Sequence, residues 1–177
     1  MRKLNLLAGM ALAGLVLIGL TATADSTSAA FTATSTNPGN TFGSATISMS
    51  NDKPNANDLV NITNLVPGDT ANRTVTITNS GNAPFTYAGS ISAVANTLLW
   101  SDATNGLQVV VKRGVAVLYT GALKNLAIPA SGTIAAGATD TLTFDFSFPT
   151  TAGNTFQSLT QDFTITYTAT QLAGSAK

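Results

Sequence analysis

From residue 31 onward apolar and polar residues alternate with period two, and no long stretch carries the 3.6-residue period of a helix. Leu142, Phe144, Phe146 and Phe148 alternate with Thr141, Thr143, Asp145 and Ser147, and Phe163, Ile165 and Tyr167 with Thr164, Thr166 and Thr168. Ala45, Ile47 and Met49 do the same against Thr46, Ser48 and Ser50, as do Val75 and Ile77 against Thr74, Thr76 and Thr78. Successive strand side chains point to opposite faces, so each segment predicts a strand with one apolar and one hydroxylated face. Sheets of that kind bury their apolar faces against each other, which predicts an all-β chain folded as a jelly-roll or immunoglobulin-like β-sandwich.

Turn residues punctuate the runs at Pro67-Gly68-Asp69, Asn79-Ser80-Gly81-Asn82, Asn105-Gly106 and Ala152-Gly153-Asn154. Arg113-Gly114 is placed to join a strand over residues 107–112 to one over 115–120 as a hairpin. The threonine-rich outer faces follow from β-branching, which suits a pleated surface and keeps it wet without charge. Glycan attachment and lateral packing between molecules are the other uses such faces could have.

The N-terminus departs from this pattern. Met1-Arg2-Lys3 is followed by an almost wholly apolar run over residues 4–20 and then by small residues, the build of a cleaved signal peptide. Cleavage is expected between Ala30 and Phe31, with Ala24 before Asp25 as the other small-x-small site. An uncleaved anchor and a pilin-type leader are the competing readings. The expected organisation is a signal peptide over 1–30, a leading strand and linker over 31–43, and a sandwich domain over 44–177.

Composition narrows the chemistry. The 177 residues include no Cys, no His and no Glu, with 8 Lys+Arg balancing 8 Asp. That removes disulfides, thiol or imidazole catalysis and the usual zinc ligands. Zero net charge leaves no basic stripe for nucleic acid. Asp140 and Asp145 lie an odd number of positions apart on one predicted strand, so they face opposite ways and cannot act as an acid and base pair. The segment Asn51-Asp52-Lys53-Pro54-Asn55-Ala56-Asn57-Asp58 offers oxygen ligands for a hard cation but lacks EF-hand spacing, and reads first as an Asx-turn loop. Trp100 reads as core rather than as a sugar platform. Asn61-Ile62-Thr63 and Asn72-Arg73-Thr74 are N-glycosylation sequons, so Asn61 and Asn72 are candidate acceptors; alternation turns Val60 and Ile62 inward and Asn61 outward. No catalytic residue, metal site or cofactor emerges, and the expectation is a protein that is not an enzyme.

An ordered set of segments carries a family resemblance. The leader, Ala30-Phe31-Thr32-Ala33-Thr34-Ser35-Thr36, then Asn40-Thr41-Phe42-Gly43-Ser44-Ala45-Thr46-Ile47, resembles the start of TasA/camelysin-type secreted proteins. Val60-Asn61-Ile62-Thr63-Asn64-Leu65-Val66-Pro67-Gly68-Asp69 and Thr74-Val75-Thr76-Ile77-Thr78-Asn79-Ser80-Gly81-Asn82-Ala83-Pro84-Phe85 resemble the strands and turns that follow there. The resemblance covers roughly the first half of the chain. It implies a jelly-roll subunit of an extracellular biofilm fibre or pilus, built by donor-strand exchange. The donor would be Phe31, Thr32, Ala33, Thr34 and Ser35, with Pro38-Gly39 as the bend before the body. Camelysin-like members include proteases, but without histidine ligands that activity does not carry over to this chain.

Physical chemistry points the same way independently. A sandwich has edge strands with unpaired N–H and C=O groups, and this chain has little charge with which to guard them. An added strand satisfies those groups, and because donor and acceptor surfaces differ, the contact propagates into an open filament. Burying Phe31 is worth roughly 2–3 kcal/mol, each backbone hydrogen bond about 1, and ordering each residue costs about 1–2. Five donor residues come out near balance, so a longer donor through Thr41-Phe42 or further contacts are needed. The expected partner is therefore the protein itself, head to tail, with no nucleic acid and no membrane contact after cleavage. The alternative is a secreted or surface-held monomeric binding module.

Overall fold

The computed structural model describes residue 39, residues 43–55 and residues 59–174. The signal segment, the Ala30/Phe31 junction and the donor residues Phe31, Thr32, Ala33, Thr34 and Ser35 lie outside the described residues. Along the body run β1 (Met49–Asn51), β2 (Thr70–Asn79), β3 (Phe85–Ser92), a single helical turn α1 (Leu98–Ser101), β4 (Gln108–Arg113), β5 (Ala116–Ala122), β6 (Ala127–Ile128), β7 (Thr139–Ser147) and β8 (Thr164–Gln171).

All pairings are antiparallel. One sheet has the order β1-β2-β7-β4-β5 and the other β6-β3-β8. The period-two segments form the strands because their apolar faces meet. Val75 and Ile77 of β2, Val109 and Val111 of β4, and Leu142, Phe144 and Phe146 of β7 face Phe85, Tyr87 and Ile128 of the smaller sheet in one core. Each fully buried large side chain contributes about 1.5–3 kcal/mol. On the outer face Thr74, Thr76 and Thr78 lie opposite Thr143, Thr141 and Thr139. The all-β sandwich is thus as the alternation predicts, and the Arg113-Gly114 hairpin forms with its turn at Gly114 and Val115.

Two local expectations differ from the structure. The first strand is short, beginning at Met49, and Ile47 is 37% exposed. Residues 46–48 run beside the turn that follows β2 rather than beside a strand, so their apolar side is only partly covered. Residues 60–63 form no strand, and Ile62 is 40% exposed while Val60 rests partly on the core. Alternation there lacks the neighbouring strand that would bury its inward side. Trp100, on α1, is half-buried against the core, in line with its reading as a core residue.

Candidate functional site

The two flanks of the sandwich are built differently. On one, the chain passes from β5 to β6 through a 3-10 turn, Leu123–Asn125, that drives Leu123 and Leu126 into the gap between the sheets. Their exposures are 0% and 3%, so the protein's own side chains fill this flank. On the other flank, a groove of about 1100 Å³ opens between β8 and the first half of β2. Its apolar lining includes Leu59, Ala71, Phe146, Phe163, Ile165 and Tyr167.

β8 and the first half of β2 border this groove, and the loop segments 59–65 and 157–162 line it as well. Among the described residues no strand lies beyond β8, whose eight residues carry no charge. Its core-facing side chains Ile165, Tyr167 and Ala169 are half-buried, whereas Phe85 and Tyr87 on neighbouring β3 are 0% and 1% exposed. The Tyr167 hydroxyl is buried without a hydrogen-bond partner, and burial pushes its pKa up. Its ring meets that of Tyr87 edge-on, with centroids 6.1 Å apart.

On the β2 side, β1 covers only the far half. Asn51 pairs with Ile77, and Asp52 N donates to Thr76 O at 3.1 Å while Thr76 N donates to Asp52 Oδ1 at 2.8 Å. That last bond holds the Asp52 carboxyl below its ordinary value of 3.8. In an antiparallel ladder alternate residues point their main-chain groups to the same side, so those of Asn72 and Thr74 also turn toward this edge. The Asn72 carbonyl accepts a 2.7 Å bond from Arg73 Nη1.

The body is entered at the opposite end of β2. Thr46 N donates to Asn82 Oδ1 at 2.6 Å, Asn82 N to Thr46 O at 3.0 Å, and Ser80 N to Ser48 O at 2.9 Å. A Cβ on Gly81 would collide with the backbone of Thr46 and Ser48, so only glycine lets the entering chain lie this close. Beneath it Asn79, 0% exposed, donates to the carbonyls of Ala83 (2.9 Å) and Ile134 (3.0 Å) and accepts from Gly81 N, which makes the turn rigid. Gly39, the glycine of the expected bend, has φ +87°, the left-handed region that suits glycine.

The ionisable residues form two clusters on opposite faces of the larger sheet, as the parity of Asp140 and Asp145 requires. Inside, at the end of the core, Asp140 Oδ2 accepts from Tyr87 Oη at 2.6 Å and from Arg113 Nε at 2.7 Å. The Arg113 guanidinium lies 5.7 Å from the Tyr87 ring centroid. Burial, then the bond to Asp140, pushes the Tyr87 phenol up to about 12. Outside, Asp145 accepts from Lys112 Nζ at 2.8 Å and from Asn72 Nδ2 at 2.5 Å, and the Lys112 bond holds its carboxyl below the usual range. Asn72 is therefore engaged by its neighbour on β7, while Asn61 stands exposed on a loop. In the loop after β1, Lys53 N donates to Asn51 Oδ1 at 2.8 Å, an Asx turn. Among the described residues no group of three or more His, Cys, Asp or Glu could hold a metal ion.

Sequence reasoning found the faces of Asp140 and Asp145 but missed Arg113 and Arg73. Both sit in phase with apolar positions, Arg113 with Val109 and Val111 and Arg73 with Val75 and Ile77, and that parity was the available signal. The groove itself has no signature in the sequence, because it depends on which strands end up at the sheet edges.

Fold and groove together define an all-β sandwich with a cleft of mixed polar and apolar lining between β8 and the first half of β2. Residues 3–87 match the family described as camelysin metallo-endopeptidase. The match covers the part that carries the Asn-Leu-Val-Pro-Gly-Asp and Asn-Ser-Gly-Asn turns and supports the TasA/camelysin resemblance there. This similarity supports, at the level of the family only, a biofilm-matrix-like protein, and TasA-like proteins are generally extracellular. Among the described residues no helix is long and apolar enough to cross a membrane. No curated protein matches the chain.

Proposed function

We propose that the chain is a structural subunit of an extracellular fibre or pilus in a biofilm matrix, secreted and polymerising by donor-strand exchange. The segment that begins at Phe31 lies in the open groove of the next subunit. The groove carries this reading: a cleft with an apolar floor, a polar rim and two strands along its sides suits an extended peptide, since backbone bonds supply affinity and alternate side chains enter the floor.

The direction of entry supports an intermolecular contact. Thr46–Ser48 are held at the Asn79–Asn82 end of β2, whereas the groove borders the Thr70 end, and ten strand residues span roughly 30 Å. Residues 31–42 reach at most about 40 Å when extended. Returning to the chain's own groove would consume most of that length in travel and leave little to pair, whereas a neighbour placed end to end receives the full segment. The partner in this reading is another copy, added head to tail, with neither nucleic acid nor membrane involved. The protein acts without enzymatic chemistry, because the His and Glu ligands a zinc peptidase uses are missing from its sequence.

Electron microscopy and light scattering of two chains test the proposal. The chain beginning at Phe31 elongates into filaments, and one beginning at Gly43 stays monomeric. Filaments from the shortened chain, or a single monomer peak from the longer one at high concentration, would refute strand donation and leave a monomeric surface module.

A further inference from the structure

The groove offers an incoming strand two edges, and they are not equivalent. On β8 the core-facing positions are Ile165, Tyr167 and Ala169, half-buried and uncharged. On β2 the middle of the uncovered segment is Arg73, which lies opposite Phe144 and so on the core-facing side of the sheet. Its guanidinium turns back to donate to the Asn72 carbonyl, one of the groups the ladder's alternation turns toward the free edge. Among the described residues no carboxylate pairs with Arg73.

We propose that Arg73 closes the β2 edge to an incoming strand and so directs the donor onto β8. The inference rests on the strand-donation reading. A strand laid along β2 would have to displace Arg73 Nη1 from the Asn72 carbonyl and cover a cation that no carboxylate among the described residues neutralises, a cost that inward-pointing charges at sheet edges impose. A strand laid along β8 meets no charge on that strand and covers its half-buried side chains. One open edge per subunit gives one donor per groove, and hence unbranched filaments.

The natural chain has no cysteine, so thiols can be placed at will. In the full chain beginning at Phe31, Thr34→Cys is combined with Thr166→Cys on β8 or with Thr74→Cys on β2, and the filaments are treated with a short bismaleimide that tolerates small errors of register. The covalent ladder is expected to be about tenfold stronger for the β8 pair. Adding Arg73→Thr brings the two ladders within about twofold, while Arg73→Lys keeps the charge and leaves β2 closed. Thermal melting of each variant confirms the fold. Equal ladders with Arg73 present, or a β8 preference that Arg73→Thr does not change, overturn the role of Arg73 while strand donation stands. No ladder at either edge from a chain that remains monomeric refutes strand donation, and the inference with it.

Discussion

The flank between β5 and β6 and the flank between β2 and β8 solve the same problem in opposite ways. Two stacked sheets leave a gap along each side, and apolar side chains there stay wet unless something enters. On the first flank Leu123 and Leu126 enter from a turn that the chain makes anyway, and they are almost completely buried. On the second, Phe163, Ile165 and Tyr167 line a cleft that the described residues leave open. The difference teaches that one sandwich can close one flank with its own side chains and leave a cleft along the other.

The widest test of this contrast is a pair of truncations. Leu123→Ala should destabilise the chain by about 2–5 kcal/mol in urea denaturation, since it empties a fully buried site. Ile165→Ala in the monomer should cost less, about 1–2 kcal/mol, because the side chain is only partly buried. Equal losses would mean that the second flank is as closed as the first.

A smaller effect is expected at the end of the core between the flanks. The Tyr87 phenol is pushed from 10.0 up to about 12, so its contribution to stability is complete below pH 10 and lost as pH rises through about 12. A Tyr87→Phe variant should melt lower than the parent at neutral pH and lose that alkaline step, which melting curves between pH 9 and about 12 would show. A step of the same size in both chains would rule out Tyr87 as its source.

The smallest effect belongs to the exposed carboxylates. Asp52 and Asp145 are held below their ordinary value of 3.8, so their stabilisation is present above that pH and fades as pH falls through the lowered values. Asp52→Asn should flatten the acid side of the melting profile slightly, by less than about 1 kcal/mol given the exposure of the site. Because Asp52 holds β1 against Thr76, a larger loss would show that β1 contributes more to the open flank than its three residues imply.

How much of this was legible in the sequence depends on what each residue's burial relies on. Leu142, Phe144 and Phe146 alternate because β7 sits between two strands and above a second sheet, so the pattern and the structure agree. Val60 and Ile62 alternate equally well, yet no strand pairs with them, and periodicity cannot report a missing neighbour. The same limit hides the groove. Arg73 and Arg113 were readable in principle as charges in phase with apolar residues, but only the register shows that one is paired with Asp140 and the other with a carbonyl on its own strand.

The seam between residues 46–51 and the Asn79–Asn82 end of β2 has a mechanical consequence. These segments run antiparallel, so their hydrogen bonds lie across the chain direction. Tension applied to the leading peptide pulls along that direction and loads the bonds from Thr46 to Asp52 together, in shear, instead of peeling them off singly. The joint where a pull would enter the body is thus arranged to resist it, and the rigid Asn79 knot beneath passes the load into the longest strand of the molecule.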